Sequence, residues 1–256
     1  MVCVMKPNPP LYPSQEKLKF AKSEFRNLVG NVNAFIGENP CEVRQEVNME
    51  KTSFYASCPT LIPSEISIRA CVVTNQLRDS LDKMLVAVVA LNGKGTSGVS
   101  FPFGGKDLNS GKVEQFPTAR HDRIKKKLTA DQWSLVLAQK PYPNGNDLLW
   151  SINQIANTDK HRRDLVSILP EIDRNVIINN GNLRDATIGG GPIINENGSE
   201  VLLLSFREGN NINIELSPKI VFGEIEPVQR KNVLTTLNQQ IRLTEGIIKV
   251  FKEAFF

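Results

Sequence analysis

The stretch "SEISIRACVVTNQLRDSLDKMLVAVVALNG", Ser64 to Gly93, decides the fold. No proline interrupts it, Ser64 offers a capping hydroxyl, and Asn92-Gly93 supplies a stop, so it reads as one long helix. Ile66, Ala70, Val73, Leu77, Leu81, Met84 and Val88 recur at helical spacing and form its buried stripe. Roughly opposite them Asn75, Arg78 and Asp82 fall at i, i+3 and i+7, bracketed by the apolar Cys71, Leu85 and Val89. A row bracketed by apolar residues is expected to lie against another element, where its charges need partners.

Upstream, "SQEKLKFAKSEFRNLVGNVNAFIG" begins with Ser14 as N-cap and repeats Leu18, Phe25, Leu28, Val32 and Phe35 as a first helix. Between the two helices "CEVRQEVNMEKTSFYASC" alternates loosely and predicts a two-stranded excursion ended by Pro59 and Pro63. Downstream, residues 92–117 are rich in Gly and Ser around "FPF", which predicts either a mobile lid or an anchored loop. Two shorter helices follow in "TARHDRIKKKL" and "TADQWSLVLAQ". A third, capped by Asp147, is expected to run to Pro170. Beyond Pro170 the period shifts towards two in "NVIIN", "LRDATI", "SEVLLLSFREG", "NINIELS" and "KIVFG", and Gly189 to Gly191 read as a turn.

These elements predict an α+β protein: a helical bundle with long central helices plus a small, mostly antiparallel sheet in the C-terminal third. It is expected to be a single domain over residues 1–256, with a helical part 14–170 and a β-rich part 171–224. A last helix, 227–255, carries Val233, Leu237, Ile241, Ile248 and Phe251 back onto the bundle.

Composition narrows the function. Apolar residues make up 40% of the chain and charged ones 23%, ordinary globular values. Basic residues number 31 against 27 acidic, an excess too slight to argue for nucleic acid, although "RHDRIKKKL" at Arg120 to Leu128 concentrates it on what reads as a solvated face. Cys3, Cys41, Cys58 and Cys71 contain no C-x-x-C pair, and His121 and His161 complete no zinc spacing, so neither a metal nor a cofactor is expected. "MVCVMKPNPP" lacks a signal-peptide core and "MLVAVVAL" is far shorter than a bilayer span, so the expectation is a cytoplasmic protein with reduced thiols and no membrane partner.

Candidate chemistry collects at "NTDKHRR", Asn157 to Arg163. On a helical wheel starting at Leu148, Ile152, Ile155 and Val166 fall within about 40° of it, and so does Asp159. Arg162 and Arg163 flank that stripe, whereas Asn157, His161 and Asp164 point away. A carboxylate on an apolar face needs a cation, which predicts that Arg78 and Asp82 face Asp159 and one of the two arginines. Such a seam serves architecture or binding; Lys160 with Arg162 or Arg163 would suit an anionic ligand such as phosphate.

At these residues the chain resembles a large family of uncharacterised bacterial proteins that share "L-R-x-x-L-D-H" on a long helix and "N-x-D-K-H-R" on a later one. Here the motifs read "LRDSLDK" at Leu77 to Lys83 and "NTDKHR" at Asn157 to Arg162. The resemblance extends to the first helix, the "FPF" loop, the "PYP" segment and the final sheet and helix. The first motif is in turn similar to that of HEPN domains, many of which are metal-independent ribonucleases of toxin and defence systems. What the resemblance implies is an RNA-directed protein in which Arg78 would bind the scissile phosphate with help from Asp79. Lys83 stands where the family has histidine, and a lysine protonated at neutral pH is a poor general base, so His161 is the candidate replacement.

Arg78, Asp79 and His161 are thus the catalytic candidates, with Asn75, Asp82, Lys83, Asn157, Asp159, Lys160 and Arg162 around them. The implied protein is HEPN-like, catalytic or degenerate, with RNA as partner, a cleft beside Arg78 and a homodimer. The alternative expectation is a noncatalytic module that binds an anionic ligand or a protein partner, or a scaffold whose seam is structural.

Overall fold

A computed structural model describes residues 9–48, 51–58, 62–105, 113–114, 116–158, 165–169, 177–178, 187–188, 200–206, 212–213 and 218–256. Helix α1, Tyr12–Gly37, and helix α2, Ser64–Leu91, form the first half of the bundle. All seven residues of the expected α2 stripe are at most 1% exposed, which makes α2 the helix around which α1, α5 and α6 assemble. The chain leaves α2 at Gly93, whose φ of +65° suits a residue without a Cβ.

Neither serine expected to cap acts as one. The N-cap positions are Leu11 and Pro63, and a proline within the first turn of α1 starts that helix at little cost because helix-start N–H groups lack partners. Ser14 lies instead fully buried inside α1. Its hydroxyl donates to the Ser80 carbonyl at 2.8 Å, and the Ser80 hydroxyl donates back to the Ser14 carbonyl at 2.7 Å. The reciprocal pair lets two helix backbones approach with their polar atoms satisfied.

A hairpin, β1 Glu42–Val47 and β2 Thr52–Ser57, separates α1 from α2. The sheet is not confined to the last third of the chain, because β2 pairs antiparallel with β6, Glu200–Phe206, and β6 with β5, Thr187–Ile188. The expectation of reduced thiols fails for one pair: Cys41 and Cys58 form a disulfide. The ladder explains it, since Glu42 pairs with Ser57 and the next register pair outward is Cys41 with Cys58. Among the described residues no helix is long and apolar enough to cross a membrane.

After α2 come a short turn Ala119–His121, α3 Asp122–Lys125, α4 Ala130–Ala138 and α5 Asp147–Thr158. Thr129 and Gln132 cap α4 reciprocally. At α5 the capping side chain is Asn146, which accepts the Leu149 N–H at 3.0 Å, while Asp147 accepts the Asn144 N–H.

The expected helix to Pro170 is corrected: α5 is described over Asp147–Thr158, and Val166–Leu169 is strand β3, antiparallel to β8, Lys219–Phe222. Ser167 is exposed between half-buried Val166 and Ile168, a period of two that four residues cannot distinguish from a helical turn. A further antiparallel pair joins β4, Ile177–Ile178, to β7, Ile212–Asn213. Helix α6, Val233–Phe255, starts at Asn232 rather than at residue 227 and buries the expected Val233, Leu237, Ile241, Ile248 and Phe251. One hydrophobic cluster runs from α1 through α2, Phe101, α4, α5 and Phe222 to α6.

Candidate functional site

The segment between α2 and the Ala119 turn is anchored through residues 92–105. Phe101 and Phe103 are 3% and 8% exposed, their rings 5.3 Å apart. The Phe101 N–H donates to Asp82 at 2.6 Å, the Gly104 N–H to the Pro141 carbonyl at 2.7 Å, and the Trp150 indole N–H to the Gly104 carbonyl at 3.2 Å. The basic run expected as a solvated face holds the same segment: Lys127 donates to the carbonyls of Gly95 and Ser97, and Arg123 to that of Ser97. Six tethers from four directions make residues 92–105 a wall, not a lid.

His121 completes the wall. Its Nδ1 lies 3.0 Å from the Thr118 nitrogen, whose N–H can only donate, so the ring proton sits on Nε2, 3.2 Å from the Phe103 carbonyl. Burial holds its pKa below the ordinary histidine value, against the opposing pull of that carbonyl. A neutral imidazole with both nitrogens engaged is a clamp rather than a base.

This wall, α5 and residues 224–226 enclose an open cleft of about 720 Å³. Arg78 reaches it from α2, its Nη1 donating to Asn157 Oδ1 at 2.9 Å. Trp150, Asn153, Gln154 and Asn157 line it from α5, spaced i, i+3, i+4 and i+7 on one face, while Leu149, Ile152 and Ile155 anchor the opposite face in the core. Asn153 is only 9% exposed and lines the cleft. Arg120 stands at the rim in an ion pair with Glu114 at 2.8 Å, and Glu224 and Glu226 are exposed on the facing side.

The sequence candidates separate. Arg78 and Asn157 come together on the cleft. Asp79, one residue on, turns to α1 and pairs with Lys17 at 3.1 Å; Lys83 is exposed and away from the cleft. Asn75 and Asp82 are half-buried on the Arg78 row. Asp82 binds the loop backbone, and burial raises its pKa above the usual carboxylate value, opposed by the Phe101 N–H and then by Arg78. Asp159, Lys160, His161, Arg162, Arg163 and Asp164 lie outside the described residues, and so does the expected contact of Arg78 with Asp159.

Sequence reading missed Trp150, Asn153, Gln154 and His121. Their signal was three amides at i, i+1 and i+4 in an otherwise apolar helix, hidden by attention to the charges that follow. Among the described residues no group of three or more His, Cys, Asp or Glu could hold a metal. Comparison with protein families, with curated proteins and with solved structures returns no match to this chain.

Proposed function

We propose that the protein is a noncatalytic binding module whose cleft takes a small anion bearing hydrogen-bonding groups. The observation that carries this reading is the Arg78 guanidinium on the cleft, one donor given to Asn157 Oδ1, beside a row of α5 amides formed by Asn153, Gln154 and Asn157. A cleft with a few convergent polar groups is suited to orienting a ligand. Arg78 offers remaining donors for a carboxylate or phosphate, and the rim carboxylate of Glu224 suits a donor at the other end of the same molecule.

The test is titration of inorganic phosphate and a nucleoside monophosphate, followed by NMR at the Asn153 amide and the Trp150 indole. Binding should shift both signals, and Arg78→Ala should weaken it roughly 10–100-fold, the loss of one or two charge-assisted hydrogen bonds. No shift at either group with millimolar probe would remove the reading and leave a scaffold.

A HEPN-like RNA-directed function is the second reading, favoured by Arg78 standing open on a cleft. Asp79 faces away from that cleft, so catalysis there would need other groups. Expressing wild type and Arg78→Ala in bacteria and comparing RNA integrity and growth decides it: RNA loss only with wild type supports this reading, and intact RNA with both counts against it.

A further inference from the structure

Strand β1 is the outer edge of the four-stranded sheet ordered β1-β2-β6-β5, and all six of its side chains are exposed. Edge strands are normally protected by charged side chains, lysine above all, by proline, a bulge or a covering element. The sequence EVRQEV has neither proline nor lysine and its three charges are of mixed sign, with Arg44 and Glu46 paired along the strand; its register with β2 runs unbroken, and among the described residues no strand pairs with its outer side.

The ladder tells which backbone groups face out. Asn48 and Lys51 exchange two hydrogen bonds, of 2.9 and 3.3 Å, so this is a bonded pair of the hairpin. Bonded and nonbonded pairs alternate along an antiparallel ladder, so Glu46, Arg44 and Glu42 bond to β2. The Cα–Cα distance of 4.2 Å at Cys41–Cys58 fits the narrow nonbonded class required there. Val43, Gln45 and Val47 therefore turn their N–H and C=O groups outward.

We propose that β1 pairs antiparallel with β1 of a second copy of this chain about a two-fold axis at Gln45. Outward groups must oppose outward groups, which leaves only a few symmetric registers. Centring on Arg44 sets arginine against arginine, and centring on Glu46 sets glutamate against glutamate; both are unfavourable. Centring on Gln45 sets Arg44 against Glu46 at both ends on one face and Val43 against Val47 at both ends on the other. Each of the pairs 43–47, 45–45 and 47–43 then exchanges two hydrogen bonds, and the two sheets become continuous. This surface is independent of the cleft.

Strand pairing of this length buries less than a standard interface, so the dimer is expected to dissociate at roughly 10–100 µM. Sedimentation velocity up to about 200 µM should show wild type passing from monomer to dimer across that range. Gln45→Pro removes an outward N–H without touching the β2 ladder and should weaken association more than about tenfold. Arg44→Glu should weaken it about 5–10-fold by setting like charges opposite, and adding Glu46→Arg should restore it. Unchanged thermal midpoints in all variants keep the readout on association. Wild type monomeric throughout, or a dimer indifferent to Gln45→Pro and to the charge reversal, overturns the proposal.

Discussion

Phe101→Ala should lower the unfolding free energy by about 3–5 kcal/mol, the cost of deleting a buried aromatic and leaving its cavity. The ring is 3% exposed and packs against Phe103 inside the core cluster shared with α2 and α5. Its backbone N–H is the group that Asp82 accepts, so losing the ring also loosens a half-buried carboxylate's partner. A phenylalanine on a mobile lid would cost far less, because its side chain would already spend time in water. Chemical denaturation with circular dichroism measures the difference; a loss below about 1 kcal/mol would place the ring outside the core.

Gly104→Ala is the second large effect, about 2–4 kcal/mol by overpacking. A Cβ at this position would stand 2.4 Å from Tyr142 Cβ and 3.1 Å from Tyr142 Cα. Neither atom can rotate away, so the two backbone segments must separate. Separation breaks the Gly104 bond to the Pro141 carbonyl and the Trp150 bond to the Gly104 carbonyl. Gly30→Ala is the control: it lies within α1, where an added methyl would meet nothing inside 4 Å, and the substitution should stabilise by about 0.4–1 kcal/mol. Opposite signs for the two glycines in one denaturation series would confirm that the contact with Tyr142, not glycine replacement as such, is responsible.

The bundle was legible because long amphipathic helices repeat their message. Seven α2 positions and five α6 positions each name the same face, and the structure buries them all. The late strands announced themselves by alternation between turn residues. Short signals were weaker. Val166–Leu169 followed an apolar helix and carried too few residues to show its change of period. Ser14 and Ser64 looked like caps, but prolines beside them set where each helix starts, and Ser14 found a partner in Ser80 far along the sequence.

At the site, the charge row on α2 identified Arg78, whereas the wheel set Asn157 pointing away from the seam although it accepts the Arg78 hydrogen bond. Asp82 looked like one half of an ion pair, and its partner is a backbone N–H in a loop 19 residues away, a contact that no side-chain pattern records. Arg78 and Asp79 are adjacent in a motif yet about 100° apart on a helix, so only one reaches the cleft. The disulfide was hidden for the same reason: Cys41 and Cys58 are neighbours only once the hairpin register is known.

The central claim is that residues 100–105 are a fixed wall of the Arg78 cleft. Amide hydrogen exchange of Phe101 and Gly104, resolved by NMR, tests it most directly, because each N–H has one named acceptor, Asp82 and the Pro141 carbonyl. Exchange slowed by at least about 10³-fold relative to an unstructured peptide is the expected result. Exchange of both amides at the unprotected rate would show a lid that opens freely, and the cleft would not exist as described.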